Sequence, residues 1–213
     1  MSGYVVAIDG PAAAGKGTLA KRLAAALGLP YLDTGLLYRA VGRRVLDHDA
    51  DPRDAVVAAA EAEALGADDL ARTDLRGPQA DFAASAVAAI PAVRAALIAF
   101  QRRFGAERGA VLDGRDIGTV IFPEAQVKLF VTASAEERAR RRFLELRARG
   151  IQADPDQVLA EIRDRDAQDA NRPVAPLRPA EDAVTIDTTM LDADAAFAEA
   201  MAIVRDRLGE SVP

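Results

Sequence analysis

Near its start the chain reads Val5-Val6-Ala7-Ile8-Asp9 and then, without a break, Gly10-Pro11-Ala12-Ala13-Ala14-Gly15-Lys16-Gly17-Thr18 followed by Leu19-Ala20-Lys21-Arg22-Leu23. An apolar run that stops at a glycine-bounded loop and resumes with helical spacing predicts a buried strand, a tight turn and a helix. Gly10 and Gly15 let the backbone turn with its N–H groups inward, where they and the helix N-terminus can hold phosphate oxygens. Lys16 adds a solvent-facing point charge for the outer phosphates, and Thr18 supplies a hydroxyl near a metal ion. The competing reading is a strand-to-helix turn that binds nothing. The lysine, its spacing and the preceding apolar strand favour the phosphate-binding loop.

Chemistry is narrowed further by what the chain lacks. It has no cysteine and a single histidine, His48, so disulfides, thiolate sites, histidine triads and poly-histidine metal sites are excluded. Catalysis is left to carboxylates, Lys, Arg and a bound metal. With 213 residues, 50% of them hydrophobic, the chain can bury one good-sized core, and a single domain over 1–213 is expected. No stretch reads as a membrane span or leader, so a cytoplasmic protein is expected. The net charge of -6 argues against a surface that coats nucleic acid. Only Lys16, Lys21 and Lys128 are lysines; every other basic side chain that is always charged is arginine. An Arg- and Ala-rich composition of the kind a high-GC genome gives explains most of these, although the arginine fork also suits bidentate phosphate binding.

Along the chain, residues 19–27 predict a helix closed by Gly28, and 36–46 a second one carrying Tyr38 and Arg39. Before it, Asp33 or Thr34 serves either as the N-cap or as a group facing a second phosphate. An alanine-rich helix over 54–65, a polar surface loop over 66–78, and helices over 79–90 and 92–104 follow, the last pair bearing Ser85 and Arg94. Ala110-Val111-Leu112 is a short strand ending in Asp113-Gly114-Arg115-Asp116, where an acid either serves a metal or caps a loop. Val127 to Val131 is another strand. Ser134 and Glu137 form a capping-box pattern for a helix bearing Arg138, Arg140, Arg141, Arg142, Arg147 and Arg149. Its glutamates are spaced to pair with many of these arginines. A helix from Pro155 runs through Arg163, Arg165 and Asp169 to Arg172, and a strand at 183–186 and a closing helix over 192–208 complete the chain. Strands alternating with helices imply an α/β fold with a central parallel sheet flanked by helices.

Taken together these motifs resemble the bacterial cytidylate kinases, within the nucleoside monophosphate kinases. Gly-Lys-Gly-Thr, with Gly17 where Ser or Thr normally follows the lysine, is the variant seen in that wider group. The narrower match is carried by Leu32-Asp33-Thr34-Gly35 with Tyr38-Arg39, Ala84-Ser85 through Ile90-Pro91-Ala92-Val93-Arg94, and Asp113-Gly114-Arg115-Asp116-Ile117-Gly118-Thr119 running on to Phe122-Pro123. Arg165-Asp166 with Asp169 and Arg172, Ala175-Pro176-Leu177, and Ile186-Asp187-Thr188-Thr189 continue it, so the likeness spans nearly the whole chain.

The resemblance implies a P-loop kinase with a monophosphate-binding insertion over about 50–104 and an arginine-bearing lid over about 143–172. It implies transfer of the ATP γ-phosphoryl group to CMP or dCMP with Mg2+, by a monomer acting on small molecules with no nucleic-acid or membrane partner. Residues Gly10 to Thr18 would bind ATP. Lys16, Arg115, Arg141 and Arg142 would serve catalysis, with Arg138 a further lid-side candidate for the transferring phosphoryl group, and Thr18, Asp33 and Asp113 would serve the metal. Tyr38, Arg39, Arg115 and Arg172 would lie on the acceptor phosphate side, Ser85, Arg94 and Asp116 at cytosine, and Arg165 and Asp169 at the sugar. Two departures are visible: Ala12-Ala13 stands where Ser-Gly is common, and the insertion is short, with a polar loop near 66–77 in place of a small group of strands. Adenylate kinase, shikimate kinase and a nucleotide-dependent switch are the alternatives.

Overall fold

The computed structural model describes residues 3–209. Five strands form one sheet in the order β2 (Tyr31–Asp33), β3 (Ala110–Gly114), β1 (Val5–Asp9), β4 (Val127–Thr132) and β5 (Val184–Asp187). β1 runs parallel to β3, with Val5 opposite Ala110 and Asp9 opposite Gly114, and parallel to β4, with Val6 opposite Val127. β4 and β5 are parallel as well. All five residues of β1 are buried, as an uninterrupted apolar run in the middle of a parallel sheet requires. Its C-terminal end therefore opens at the centre of the sheet, where α/β folds place their ligands.

Contacts divide the chain into two compact units, residues 3–32 with 108–209 and residues 33–107. The first contains the main core, in which Val6 and Ile8 of β1 meet Leu19, Leu23 and Leu27 of α1 (Lys16–Leu27), Val127, Leu129 and Val131 of β4, and Ala200 and Val204 of the closing helix Ala193–Leu208. Gly10 is obligatory at the end of β1, because it holds φ 148° and a Cβ there would lie 1.9 Å from the carbonyl oxygen of Val131. Ala13 is an unusual residue in the loop. It holds φ 59°, a left-handed conformation that alanine adopts at a cost.

The helices Ala135–Ala148 and Pro155–Ala170 form a hairpin with its own small cluster of Ala139, Leu146, Val158 and Ile162. Of the expected capping box only one half is made. Ser134 Oγ accepts the Glu137 N–H at 3.2 Å, whereas the Ser134 N–H donates to Thr189 Oγ1 and Glu137 is taken by Arg140 and Arg141.

The second unit carries α2 (Thr34–Asp47), α3 (Ala55–Glu63), a one-turn helix Ala67–Leu70, α5 (Pro78–Ala88) and α6 (Pro91–Ala106), numbering the one-turn helix as α4. Gly42 on α2 packs so closely on α5 that a Cβ would meet that of Ala83 at 2.8 Å. The stretch expected as a polar surface loop is more structured than that. Leu75 is buried within it, and several of its charges are paired: Asp69 with Arg44 at 3.1 Å, and Arg72 with Asp47 at 2.6 Å and Asp74 at 2.7 Å. Reading polarity as exposure missed that one leucine and a set of crossing ion pairs can fasten a short segment. α5 and α6 meet at 97°, and no single helix among the described residues is long and apolar enough to cross a membrane.

Candidate active site

The loop between β1 and α1 places its polar groups as a phosphate cradle requires. Gly15 caps α1 with φ 89°, so the helix N-terminus and its unpaired N–H groups open at the loop. Lys16 corrects the expectation of a solvent-facing charge: it is 7% exposed, and its ammonium donates to the Pro11 carbonyl at 2.6 Å. Burial lowers its pKa, the neighbouring Arg115 lowers it further, and Asp113 and Asp9 pull the other way, leaving it well below the ordinary lysine value. An anionic phosphate bound alongside would restore the charge. Asp113, at the end of β3, is buried, receives the Tyr31 hydroxyl at 3.3 Å, and has Oδ2 3.4 Å from where a Cβ on Gly17 would stand. It thus faces the first turn of α1.

Beyond β3, Arg115 donates from Nε to Asp169 at 2.6 Å, and Arg172 binds the other oxygen of the same carboxylate. Asp169 is 2% exposed; burial acts to raise its pKa, but the two guanidinium groups outweigh this and hold it below the usual carboxylate value. Expected at the sugar, Asp169 is here the shared anchor of two arginines expected on the acceptor phosphate. Asp116 is 5% exposed and starts a π-helical turn over Ile117–Ile121, its backbone carbonyl accepting from Val120 and Ile121.

The arginines of the helical hairpin divide by partner. Arg138 is buried and spent on structure: it grips Asp166 through two bonds of 2.8 and 2.6 Å and also donates to the carbonyls of Ala133 and Ala12. Arg140 pairs with Glu137 and Arg142 with Glu145, the helical-spacing pairs the sequence suggests. Arg141 is also held beside the loop, with Nη1 3.8 Å from where a Cβ on Gly15 would lie. The carboxylate of Asp9, the carboxylate of Asp166 and the hydroxyl of Thr188 were not singled out as functional from the sequence. All three lie inside the quoted motifs, but their partners are more than 25 residues away and leave no spacing signal.

In the second unit Asp33 is the N-cap of α2, accepting the Leu36 N–H at 3.3 Å, with Arg76 3.8 Å from its other oxygen. Arg39 pairs with Asp81 at 3.1 Å, Ser85 Oγ bonds the Asp81 carbonyl at 3.0 Å, and the Tyr38 hydroxyl lies 3.5 Å from the buried Arg94. Four of the residues expected at the acceptor, Tyr38, Arg39, Ser85 and Arg94, therefore stand on the helices of one unit, and Asp33, expected at the metal, caps the first of those helices.

A β1–loop–α1 cradle with a buried lysine on a parallel α/β sheet defines a P-loop phosphotransferase. The family model for cytidylate kinase matches residues 6–206. A cytidylate kinase of Granulibacter bethesdensis is 63% identical over 201 residues, covering 94% of this chain and 96% of that one. One from Paramagnetospirillum magneticum is 61% identical over 204 residues, with 94% and 97% covered. A solved gluconokinase structure from Sinorhizobium meliloti matches with TM-score 0.51 at 14% identity, covering 96% of this chain and 94% of that chain, a likeness of fold alone. The chain belongs to the cytidylate kinase family.

Proposed function

We infer that this chain transfers the γ-phosphoryl group of ATP to CMP or dCMP, giving ADP and CDP or dCDP. Beside the family relationship, the observation that carries this reading is the pair of guanidinium groups, Arg115 and Arg172, fixed on one buried carboxylate, Asp169. Two pre-oriented forks suit a terminal phosphate monoester.

The backbone of Gly10 to Thr18 holds the ATP phosphates, and Lys16, whose charged form their negative charge favours, neutralises the outer ones. Arg115 and Arg172 bind the acceptor phosphate and turn one of its oxygens toward the γ-phosphorus; Arg39 and Tyr38 are assigned to the acceptor as well. That oxygen is nucleophilic at neutral pH, so the P–O bond to ADP breaks and the new one forms without a dedicated general base. In a loose transition state the protein contributes mainly position and charge, and Arg141 is assigned to the transferring group, with Arg142, paired with Glu145, the second candidate on that helix. Thr18 and Asp113 supply the all-oxygen donor set that suits Mg2+, which when bound offsets the charge of the phosphates. Asp33, occupied at its helix N-terminus, is the weaker metal candidate. Asp116, Ser85 and Arg94 are assigned to cytosine and Arg165 to the sugar. The protein is taken to act as a cytoplasmic monomer on small molecules, with no nucleic-acid or membrane partner, supported by its substrates and its net charge of -6.

The test is a coupled ADP-release assay across CMP, dCMP, UMP, AMP and dTMP with Mg2+. ADP should form rapidly only with CMP or dCMP. Equal ADP formation without any acceptor would indicate a hydrolytic switch, and preference for AMP would overturn the acceptor assignment.

A further inference from the structure

Thr188 follows directly after β5 and is 4% exposed. Its backbone N–H donates to the Thr132 carbonyl at 2.8 Å, extending the β4–β5 ladder by one bond and fixing where the side chain starts. The hydroxyl lies 3.1 Å from two carbonyl oxygens, that of Thr132 and that of Ala14 in the phosphate-binding loop. On its other side it accepts from Arg141 Nη1 at 3.0 Å, while the Thr188 carbonyl accepts from Arg141 Nη2 at 2.6 Å. Glu137 takes the Nε–H at 2.9 Å. Three of the five guanidinium N–H groups are thereby committed, and one remains on each terminal nitrogen.

We propose that Thr188 is a positioning residue for phosphoryl transfer: it ties the Arg141 guanidinium to the Ala14 carbonyl, so that the arginine and the phosphate-binding loop move as one piece. A guanidinium on a long side chain loses much rotamer freedom when it engages a transient charge. Anchoring it in advance removes that cost from the chemical step and leaves two N–H groups aimed from a fixed base. Thr188 combines a donor, an acceptor and a buried β-branched methyl. Serine retains the first two, valine only the shape.

The inference rests on the reading that Arg141 contacts the transferring group, and a double-mutant cycle separates the two. Wild type, Thr188→Val, Thr188→Ser, Arg141→Ala and the Thr188→Val/Arg141→Ala double variant are compared for kcat, KM for each substrate and Tm. We expect Arg141→Ala to lower kcat about a hundredfold, in the range for loss of one charge-stabilising donor. Thr188→Val should lower kcat at least about tenfold with KM for CMP nearly unchanged, Thr188→Ser should recover most of it, and the double variant should match Arg141→Ala. Losses that multiply would overturn the proposal while leaving the Arg141 assignment standing, since Thr188 would then act on the loop alone. Full kcat in Arg141→Ala would overturn both. A Thr188→Ser variant as impaired as Thr188→Val also counts against the proposal, because the hydroxyl would not be the active feature.

Discussion

The carboxylate of Asp9 accepts the backbone N–H of Gly118 at 2.8 Å and, through its other oxygen, that of Ile117 at 2.7 Å. The residue that ends β1 thus also pins the turn after Arg115 and Asp116, so the donor cradle and the Arg115 loop share one attachment. Burial pushes the Asp9 pKa up to about 6; the two N–H bonds oppose this, Asp116 adds to it and Lys16 opposes it. An acid whose folded pKa is raised contributes stability that is full below its unfolded value and is lost as pH rises through the folded one.

Between about pH 4 and 6, Asp9 should therefore make wild type lose stability with rising pH relative to Asp9→Asn, in which the group no longer titrates. The amide also sets an NH2 against a backbone N–H, costing about 1 to 3 kcal/mol at any pH. Urea melts of both proteins across this window check the sign. A stability difference that is flat with pH, or that moves in wild type's favour on going up, would refute the assignment.

Ala13→Gly should stabilise the protein. A left-handed alanine costs about 1 to 2 kcal/mol, and the added chain freedom of glycine takes back roughly 0.4 to 1 kcal/mol, leaving a net gain between about 0 and 1.6 kcal/mol. A lower denaturation midpoint in the glycine variant would contradict the φ of 59° seen here.

Asp169→Ala should be costly because it leaves Arg115 and Arg172 facing each other without the carboxylate they share. Removing one partner of a buried ion pair typically costs about 3 to 5 kcal/mol, and the lower end applies here since both arginines are partly exposed. CMP should then raise Tm more in the variant than in wild type, because its phosphate replaces the missing anion. An equal or smaller CMP shift in the variant would place the acceptor phosphate elsewhere.

Much of this was legible from the chain. The loop from Gly10 to Thr18, the Gly28 cap and the pairing of Glu137 and Glu145 with nearby arginines all depend on residues close together in the chain, so spacing reveals them, whereas the choice of Asp33 over Thr34 as the cap of α2 needed the structure. The family relationship follows from the same local motifs. What spacing could not supply was the long-range bookkeeping of hydrogen bonds. That Asp169 is an anchor for Arg115 and that Arg138 is consumed by Asp166 each depend on how separate elements meet. The 66–78 stretch is largely exposed, as its polar composition implies, but composition could not show its cross-links to Arg44 and Asp47.

Lys16→Ala should lower kcat at least about a hundredfold, in line with removal of one preorganised charge. Stability should change little or rise, because a lysine whose pKa is depressed by burial contributes strain rather than support to the unliganded protein. A large fall in Tm together with near-normal turnover would invert the roles assigned to this side chain.

Base choice should depend on Asp116. It is 5% exposed at the head of the π-helical turn, and cytosine offers it an exocyclic amino donor that the carboxylate can accept. Uracil has a carbonyl oxygen at that place, which would face the carboxylate with neither group able to donate. A site built around a hydrogen bond can reject an analogue lacking it by roughly ten-thousandfold, because the polar groups are left unpaired. The expected result is a strong preference for CMP over UMP in wild type, and a narrowed gap in Asp116→Ala that arises chiefly through loss of kcat/KM for CMP. If Asp116 instead serves only to shape the turn carrying Arg115, both substrates should lose activity by a similar factor. Measuring kcat/KM for CMP and UMP in the variant distinguishes these outcomes directly, and Asp116→Asn sharpens the comparison: the amide can present its NH2 to the uracil carbonyl, so UMP should gain relative to Asp116→Ala if the side chain meets the base, and should not if it only holds the loop.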